Sequence, residues 1–335
     1  MSTMKRVLAV FAVLLILAVI AIGAWAYQFA HSPLPLPPAK TPFEFSVRPG
    51  ATLKSVARQL AEAGLLPDAQ TLWVLGRATQ MTAIQAGNYR LDKPLPPLEL
   101  LRKLVDGDVI PMTVTFVEGI TFAEMRRQLE STAGVKITLR GLSDAEVLKK
   151  IGAAETHGEG LFFPDTYQFA AGVSDQELLK KSYQAMQRKL ADAWAKRSAD
   201  LPYKNAYEAL IMASIIEKET GRADERTLIG SVFINRLRMP MRLQTDPTVI
   251  YGMGRSFDGN IRRRDLSVDT PYNTYTRDGL PPTPIAMPGW GSLQGALNPA
   301  QSDKLYFVAK GDGSHYFSRS LDEHNRAVAK YQLGK

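Results

Sequence analysis

The strongest constraint on this chain is an apolar run close to its N-terminus. Residues 7–27 contain no charged side chain, and two basic residues precede them. As a helix, a run of this length is about 31 Å long, which is enough to cross the hydrocarbon core of a bilayer. A cleaved signal peptide is the alternative, because residues 24–26 have the A-x-A form of a cleavage site. The apolar segments of signal peptides are shorter, so the sequence predicts an uncleaved transmembrane helix.

The basic residues around this run predict its orientation. Lys5 and Arg6 lie before it, and the next lysine or arginine is Lys40. Positive charge marks the cytoplasmic side of a membrane span. We therefore expect residues 1–6 to form a cytoplasmic tail, residues 7–27 to span the membrane once, and the rest of the chain to lie outside the cytoplasm.

Composition excludes several kinds of chemistry. The chain has no cysteine, which excludes disulfides, iron–sulfur clusters and a thiol nucleophile. Its four histidines are scattered and form no metal-binding motif, so we predict neither a metal nor a cofactor. The net charge of +8 is typical of plain solubility and also suits an anionic partner such as a cell-wall polymer. Export of the body makes nucleic acid an unexpected partner.

A small domain is predicted to follow a stiff linker. Residues 28–42 are rich in proline, which favours an extended polyproline spacer. Residues 43–91 alternate as strand, helix, helix and strand, and the stretch PGATLKSVARQLAEAG at 49–64 resembles a LysM module. That resemblance implies a LysM-like βααβ domain over residues 43–110. Such a module binds glycans containing N-acetylglucosamine, or it serves here as structure alone.

One helix of the remaining chain, residues 111–335, is a candidate for chemistry. Asn205 and Glu208 have the form of a capping box, and Gly221 is a natural end signal. The residues between are apolar on all sides, which is typical of a buried helix. The helix ends in two carboxylates, Glu217 and Glu219, that point about 200° apart at 100° per residue. The two carboxylates therefore cannot serve one cleft as a pair.

Glu217 has the surroundings that an acid catalyst needs. It follows two isoleucines and shares a face with Leu210, Ala213 and Ser214. Burial among apolar groups favours the protonated form of a carboxyl group, and so does the negative end of a helix dipole. The alternative is an ion pair at the helix end with Lys218 or with an arginine of the next helix.

A long irregular stretch follows at residues 252–291. It contains five prolines, several glycines and Tyr272-Asn273-Thr274-Tyr275. Long irregular segments inside a domain are usually functional, and tyrosine and asparagine suit sugar recognition. Asp246 precedes this stretch and is followed by proline, so it caps the helix at 247–252 or belongs to the site.

Several motifs in this order resemble those of the membrane-anchored endolytic murein transglycosylases, the MltG or YceG-like family. The resemblance runs over nearly the whole exported chain and implies a mixed α+β catalytic domain at residues 111–335. One small departure is Met287 before Pro288-Gly289, where many relatives are expected to have a small or polar residue. The motifs are Glu159–Tyr167, Ala213–Glu219, Leu243–Gly252, Pro271–Tyr275, Gly279–Ile285 and Leu305–Ala309.

The resemblance implies a lyase that cleaves nascent peptidoglycan strands between N-acetylmuramic acid and N-acetylglucosamine and leaves a 1,6-anhydro end. It implies a bacterial inner-membrane location, glycan strands as the partner, and peptidoglycan synthases or the elongation or division machinery as further partners. The family's catalytic glutamate is the first of its E-K-E motif, which falls on Glu217. Substrate-binding residues are predicted at Gln244, Asp246, Tyr251, Asn273, Tyr275, Asp165 and Tyr167.

This activity agrees with the lone carboxyl group. Most glycosidases use two carboxyl groups. In a lytic transglycosylase the 6-hydroxyl of the sugar attacks its own C1, so one carboxyl group serves first as acid and then as base. Two alternatives remain open: a glycoside hydrolase with Asp246 as the second carboxylate, and a wall-binding scaffold without catalysis.

Overall fold

The computed structural model describes residues 3–36 and 42–334, so part of the expected linker and of the expected tail lies outside the described residues. The chain divides into two compact units. Unit 1 comprises Met1–Met112 and Gln168–Val173, and unit 2 comprises Thr113–Tyr167 and Ser174–Lys335. The expected domain limits at 110 and 111 stay a prediction.

Unit 1 begins with the apolar helix α1, Thr3–His31. Its segment Val10–His31 has a mean hydropathy of 2.6 and is not buried within the protein. The length and composition of this helix fit a membrane anchor or a signal sequence. The chain just after it packs on the rest of unit 1, since Leu34 is buried and its N–H donates to the carbonyl of Leu95 at 2.9 Å.

The rest of unit 1 follows the predicted order of strand, helix, helix and strand. The two strands are antiparallel, and Phe45 lies opposite Tyr89 with their rings stacked 5.3 Å apart. Alternate residues of each strand are buried against the helices, as expected for a sheet with one solvated face. The elements are β1 (Phe43–Val47), α2 (Leu53–Glu62), α3 (Ala69–Ala78), β2 (Gly87–Leu91) and α4 (Pro97–Asp106).

Unit 2 is mainly helical. Its described strands form two-stranded pairs, β3 with β4 and β5 with β6, so helices supply most of the core and the mixed α+β prediction is confirmed. The elements are β3 (Met112–Thr115), α5 (Phe122–Ser131), α6 (Asp144–Ile151), β4 (Thr166–Phe169), α7 (Asp175–Ala195), α8 (Ala206–Glu219), α9 (Arg226–Arg238), α10 (Asp246–Met253), α11 (Trp290–Leu297), β5 (Tyr306–Ala309), β6 (His315–Ser318) and α12 (Leu321–Tyr331).

Helix α8 is the central element of unit 2. Every residue from 209 to 216 is buried, as its all-round apolar sequence predicts. Helices α9 and α11 both pack on it and lie close to each other. A Cβ atom on Gly230 of α9 would lie 2.2 Å from the carbonyl oxygen of Gly295 on α11, so both positions require glycine. The carboxylates at the end of α8 are therefore held by a rigid framework.

The ends of α8 agree with the sequence in part. The Asn205 side chain accepts the N–H of Glu208 at 3.1 Å, as predicted for a cap. At the other end the helix stops at Glu219, and Gly221 does not take the left-handed conformation that was expected. The extended residue Thr220 ends the helix instead, and its hydroxyl accepts the N–H of Arg222 at 3.0 Å.

Candidate active site

A cavity of about 470 Å³ lies in unit 2 beside the C-terminal end of α8. Its volume is in the range of pockets that hold small ligands. Four parts of the chain that are distant in sequence supply its walls: the end of α8, Arg236 of α9, the loops before α10 and α11, and the β5–β6–α12 block. Polar lining residues include Glu219, Arg236, Gln244, Asp246, Tyr275 and His324.

Glu219 brings a carboxyl group to the wall of this cavity. The Thr245 hydroxyl donates a hydrogen bond to it. Burial raises the pKa of Glu219 from 4.5 to about 7, and the nearby charge of Asp246 acts in the same direction. The Thr245 hydrogen bond and the charges of His315 and Arg236 oppose this rise. Glu219 is therefore a carboxyl group that exchanges its proton near neutral pH.

Asp246 is a second carboxylate of the same cavity. Its Oδ1 accepts the phenolic hydroxyl of Tyr275 at 2.6 Å. It is the first residue of α10, which has no side-chain cap in the described structure, so the capping interpretation does not hold. Burial and this hydrogen bond both raise the pKa of Tyr275, which keeps the phenol protonated as the donor. The pair therefore holds the Asp246 carboxyl group in one orientation at the cavity.

Arg236 supplies a cation to the cavity wall. Its guanidinium donates to the carbonyls of Leu305 at 2.6 Å and Leu243 at 2.7 Å and lies 5.1 Å from the ring of Tyr306. These hydrogen bonds hold the guanidinium in place. Burial lowers the pKa of Arg236. Burial and the charge of Arg236 also lower the pKa of His324, which therefore stays neutral at neutral pH.

Two loops are tied together at the cavity by hydrogen bonds around Thr274. The carbonyl of Thr274 accepts the N–H of Gln244 at 3.1 Å, and its hydroxyl accepts the N–H of Thr245 at 3.0 Å. Gln244 has a positive φ of 49°, which is unfavourable for a residue with a Cβ by about 1 kcal/mol. These two hydrogen bonds stabilise the strained turn at Gln244 and place Asp246 and Tyr275 side by side.

Glu217 lies on a different side of α8 from Glu219. Its Oε2 accepts the N–H of Gly289 at 2.8 Å, and its Oε1 lies 3.7 Å from Nη2 of Arg226. The side chain is only 6% exposed. The expectation that the two carboxylates serve different places is therefore confirmed, and the cavity contains Glu219.

Tyr251 belongs to a buried cluster. Its hydroxyl donates to Oε2 of Glu159 at 3.2 Å, and its ring meets that of Tyr272 edge-on at 4.9 Å. Glu159 also accepts the N–H of Phe122 at 3.0 Å. Burial raises the pKa of Glu159 to about 7. Tyr251 thus contacts a protein carboxyl group rather than the lining of the cavity.

The other predicted substrate-binding residues make internal contacts. Asn273 is buried and donates to the carbonyls of Val268 at 2.7 Å and Leu266 at 3.1 Å, so it organises the loop. The Tyr167 hydroxyl donates to the carbonyl of Phe163 at 2.7 Å, and Asp165 is exposed beside it. Of the seven, the structure brings Gln244, Asp246 and Tyr275 together at the cavity.

Glu219 and Arg236 were not selected from the sequence. Glu219 was considered only as the residue that points away from Glu217. Arg236 had a usable signal, because it continues the buried face Ile229, Val232 and Phe233 of α9 at helical spacing. An arginine at such a core position is either paired or functional. Among the described residues no group of three or more His, Asp or Glu side chains could hold a metal ion.

The cavity thus brings the carboxyl groups of Glu219 and Asp246 together with the guanidinium of Arg236. Residues 45–330 match the YceG-like family, and the chain belongs to that family. The match begins inside β1 and so includes most of unit 1.

Relatives with this architecture are enzymes. A Bacillus subtilis (strain 168) protein named endolytic murein transglycosylase is 30% identical over 314 residues, which cover 89% of this chain and 87% of that protein. A protein of the same name from Streptococcus pneumoniae serotype 2 (strain D39 / NCTC 7466) is 26% identical, and the match covers 93% of this chain and 63% of that protein. A crystal structure of a yceG-like protein from Listeria monocytogenes has a TM-score of 0.54 and 29% identity, covering 86% of this chain and 99% of that one.

Proposed function

We propose that this chain is an endolytic peptidoglycan lytic transglycosylase with Glu217 as its proton donor and acceptor. The enzyme cleaves the β-1,4 bond between N-acetylmuramic acid and N-acetylglucosamine and ends strand elongation. The observation that carries the proposal is the match to the YceG-like family, whose resemblance implies Glu217 as the catalytic glutamate. The Glu217 side chain is only 6% exposed at the end of the buried helix α8, which supports a role beyond that of a surface charge.

The reaction needs one group that gives and then takes back a proton. The protonated Glu217 donates its proton to the glycosidic oxygen, and the bond between that oxygen and C1 of the muramyl sugar breaks. The 6-hydroxyl of the same sugar then attacks C1 and gives its proton to the Glu217 carboxylate. The products are a free 4-hydroxyl on one strand and a 1,6-anhydro end on the other, and no water is consumed.

Three predicted substrate-binding residues, Gln244, Asp246 and Tyr275, line one cavity and are placed to bind sugar hydroxyl or acetamido groups. Tyr275 holds the Asp246 carboxyl group in one orientation through the 2.6 Å hydrogen bond.

Glu219 is the competing proton donor, because it lines the cavity and burial raises its pKa to about 7. The family resemblance favours Glu217, whose carboxylate accepts the N–H of Gly289 and lies near Arg226. Comparing Glu217→Gln with Glu219→Gln decides between them, because the donor's variant has no activity at any pH.

A hydrolase is the second candidate, and Asp246 is the observation that favours it. Most glycosidases have two carboxyl groups in the active site, and the second one activates water or attacks C1. The cavity likewise contains two carboxyl groups. Asp246 accepts the Tyr275 hydroxyl, which occupies one of its oxygens and disfavours that role. The two reactions differ in their products, since hydrolysis adds a water molecule at the new end.

The test is digestion of uncrosslinked glycan strands by the full-length chain in detergent, with the products weighed by mass spectrometry. We expect internal fragments one water lighter than hydrolysis products from the wild type, and intact strands from Glu217→Gln. Fragments at full mass would identify a hydrolase. Intact strands with the wild type would support a wall-binding scaffold.

The N-terminal helix completes the proposal. We propose that α1 anchors the enzyme in the bacterial inner membrane with Lys5 and Arg6 in the cytoplasm, so that unit 2 works on strands as they emerge from the membrane. Peptidoglycan synthases or the elongation or division machinery are the partners that such a location implies. Labelling of single cysteines placed at residue 2 and in unit 2 of intact cells tests the orientation, since the chain has no cysteine of its own.

A further inference from the structure

A second carboxyl group, that of Glu118, lies beside Glu217. Glu118 follows β3, and its Oε2 lies 3.4 Å from Nη2 of Arg226 at the start of α9. The same nitrogen lies 3.7 Å from Oε1 of Glu217. The two carboxyl groups are therefore at most about 7 Å apart, a distance at which like charges inside a protein repel each other appreciably. The proposed reaction gives Glu118 no role.

Backbone contacts hold these two carboxyl groups close together. The chain after β3 is paired with the segment before α11, since Gly119 donates its N–H to the carbonyl of Met287 at 2.8 Å. Two residues later in that segment, Gly289 donates its N–H to Oε2 of Glu217 at 2.8 Å. A Cβ atom on Gly289 would overlap the Glu118 carboxylate. Gly289 therefore lies against both carboxyl groups, and a larger residue there would push them apart.

The two carboxyl groups differ in their access to water. The side chain of Glu118 is 44% exposed, whereas that of Glu217 is almost fully buried. Burial and the charge of Glu217 raise the pKa of Glu118, and the charge of Arg226 opposes this rise. Repulsion between two charges is reciprocal, so a charge on Glu118 disfavours the ionisation of Glu217 in turn. The two groups therefore titrate as a pair around one guanidinium.

The elements around Glu217 supply charges of both signs. Lys218 follows it on α8 and donates from Nζ to the carbonyl of Gly119 at 3.3 Å, and Glu124 at the start of α5 lies near this ammonium group. Helix α11 supplies the N–H of Gly289 and has no titratable side chain. Arg226 contacts the Glu217 carboxyl group directly, and Glu118 is connected to it through the same guanidinium.

We infer that Glu118 acts through Glu217: its negative charge, balanced by Arg226, keeps a proton on Glu217 until the glycosidic oxygen accepts it. The inference rests on the proposed role of Glu217 as the proton donor. Before the reaction the donor must hold its proton, and the charge of Glu118 favours that form. After the transfer the donor is a carboxylate, which the guanidinium of Arg226 stabilises. Glu118 is thus a positioning residue, and it transfers no proton itself.

A series of charges at position 118 tests this role. The alkaline limb of the kcat/KM profile reports loss of the donor's proton in the free enzyme. Glu118→Asp keeps the negative charge, so its limb should lie close to that of the wild type. Glu118→Gln removes the charge and should move the limb to lower pH by about half to one pH unit, since the half-exposed charge is partly screened by water. Glu118→Lys inverts the charge and should move the limb further in the same direction.

Arg226→Gln removes the opposing charge and should move the limb to higher pH. Two neighbouring substitutions then shift the limb in opposite directions, which a general loss of stability does not do. Glu208→Gln is the matched control, because Glu208 accepts the N–H of Lys204 at 2.7 Å at the other end of α8, about 13 Å along the helix from Glu217. Its limb should match that of the wild type. If Arg226→Gln does not fold, the series at position 118 decides alone.

The experiment measures kcat/KM against pH for the full-length variants in detergent on uncrosslinked glycan strands, with Glu217→Gln as the inactive reference. Limbs ordered by the charge at position 118 support the inference. With Glu217→Gln inactive, a limb of Glu118→Gln that is unchanged or moves to higher pH would overturn it. A Glu118→Gln as inactive as Glu217→Gln at every pH would also overturn it, because Glu118 would then transfer a proton itself. An active Glu217→Gln would instead refute the proposed function, and with it the inference that rests on it.

Discussion

Glu219→Gln should make the protein more stable at alkaline pH. Burial raises the pKa of Glu219 from 4.5 to about 7, so ionising it in the folded protein is unfavourable. Glutamine is neutral at every pH and has almost the same shape. Its carbonyl oxygen accepts the Thr245 hydroxyl as the carboxyl oxygen does, so the substitution removes mainly the cost of ionisation.

The magnitude follows from proton linkage. The unfolded chain releases the Glu219 proton near pH 4.5, and the folded protein releases it near pH 7. Between these values the folded protein binds more protons, so its stability falls as pH rises. The stabilisation is fully present below pH 4.5 and is lost as pH rises through 7. The free energy of unfolding lost over this range is about 3 kcal/mol.

Thermal unfolding of the full-length chain in detergent at pH 4.5 and pH 8.5 tests this. For a folded unit of about 200 residues, 3 kcal/mol corresponds to roughly 5–10 °C in Tm. We expect Glu219→Gln to exceed the wild type by that amount at pH 8.5 and to match it within about 2 °C at pH 4.5. Glu208→Gln should change Tm equally at both pH values. A Glu219→Gln Tm at pH 8.5 equal to or below that of the wild type would refute a buried, protonatable Glu219.

Three further substitutions test individual contacts. Tyr275→Phe removes the donor to Asp246 and should lower kcat about fivefold, since one such bond contributes about 1 kcal/mol. An unchanged initial rate on glycan strands would contradict this. Asn273→Ala leaves buried carbonyls unpaired, so it should lower the free energy of unfolding, measured with denaturant, by about 3 kcal/mol. An unchanged unfolding midpoint would exclude a structural role for Asn273. Gly289→Ala places a Cβ atom against the side chain of Glu118 and should lower Tm. The double variant Gly289→Ala with Glu118→Ala should recover most of that loss. If it does not, the backbone at Gly289, and not the contact with Glu118, is responsible for the loss.

Features that depend on neighbouring residues were predictable from the sequence. The apolar run gave α1, and the alternating pattern with turn signals gave β1, α2, α3 and β2 in the right order. The all-apolar stretch before Glu217 predicted the burial of α8, which the packing of α9 and α11 on it explains. Each of these elements is decided by hydrophobic periodicity and by caps that lie within a few residues.

The candidate site was predictable only in part because its walls are distant in sequence. Helical spacing showed that Glu217 and Glu219 face different ways, yet it does not tell which face meets a cavity. The position of the cavity depends on how the loop with Thr274 and Tyr275 packs against the turn at 244–246. It also depends on how the block from β5 to α12 forms the opposite wall of the cavity. Asn273 illustrates the same limit, since an asparagine that binds a sugar and one that holds a loop have the same local sequence.

The two carboxylates at the end of α8 show how one helical turn gives neighbouring groups different surroundings. Glu217 is engaged by the N–H of Gly289 and lies near the guanidinium of Arg226. Glu219 receives a hydrogen bond from Thr245 and borders the cavity. Residues two apart on a helix point about 200° away from each other, so substitutions at these two positions act on separate contacts. A loss of activity in Glu217→Gln that Glu219→Gln does not share would therefore assign the proton transfer to Glu217 and leave Glu219 as a group of the neighbouring cavity.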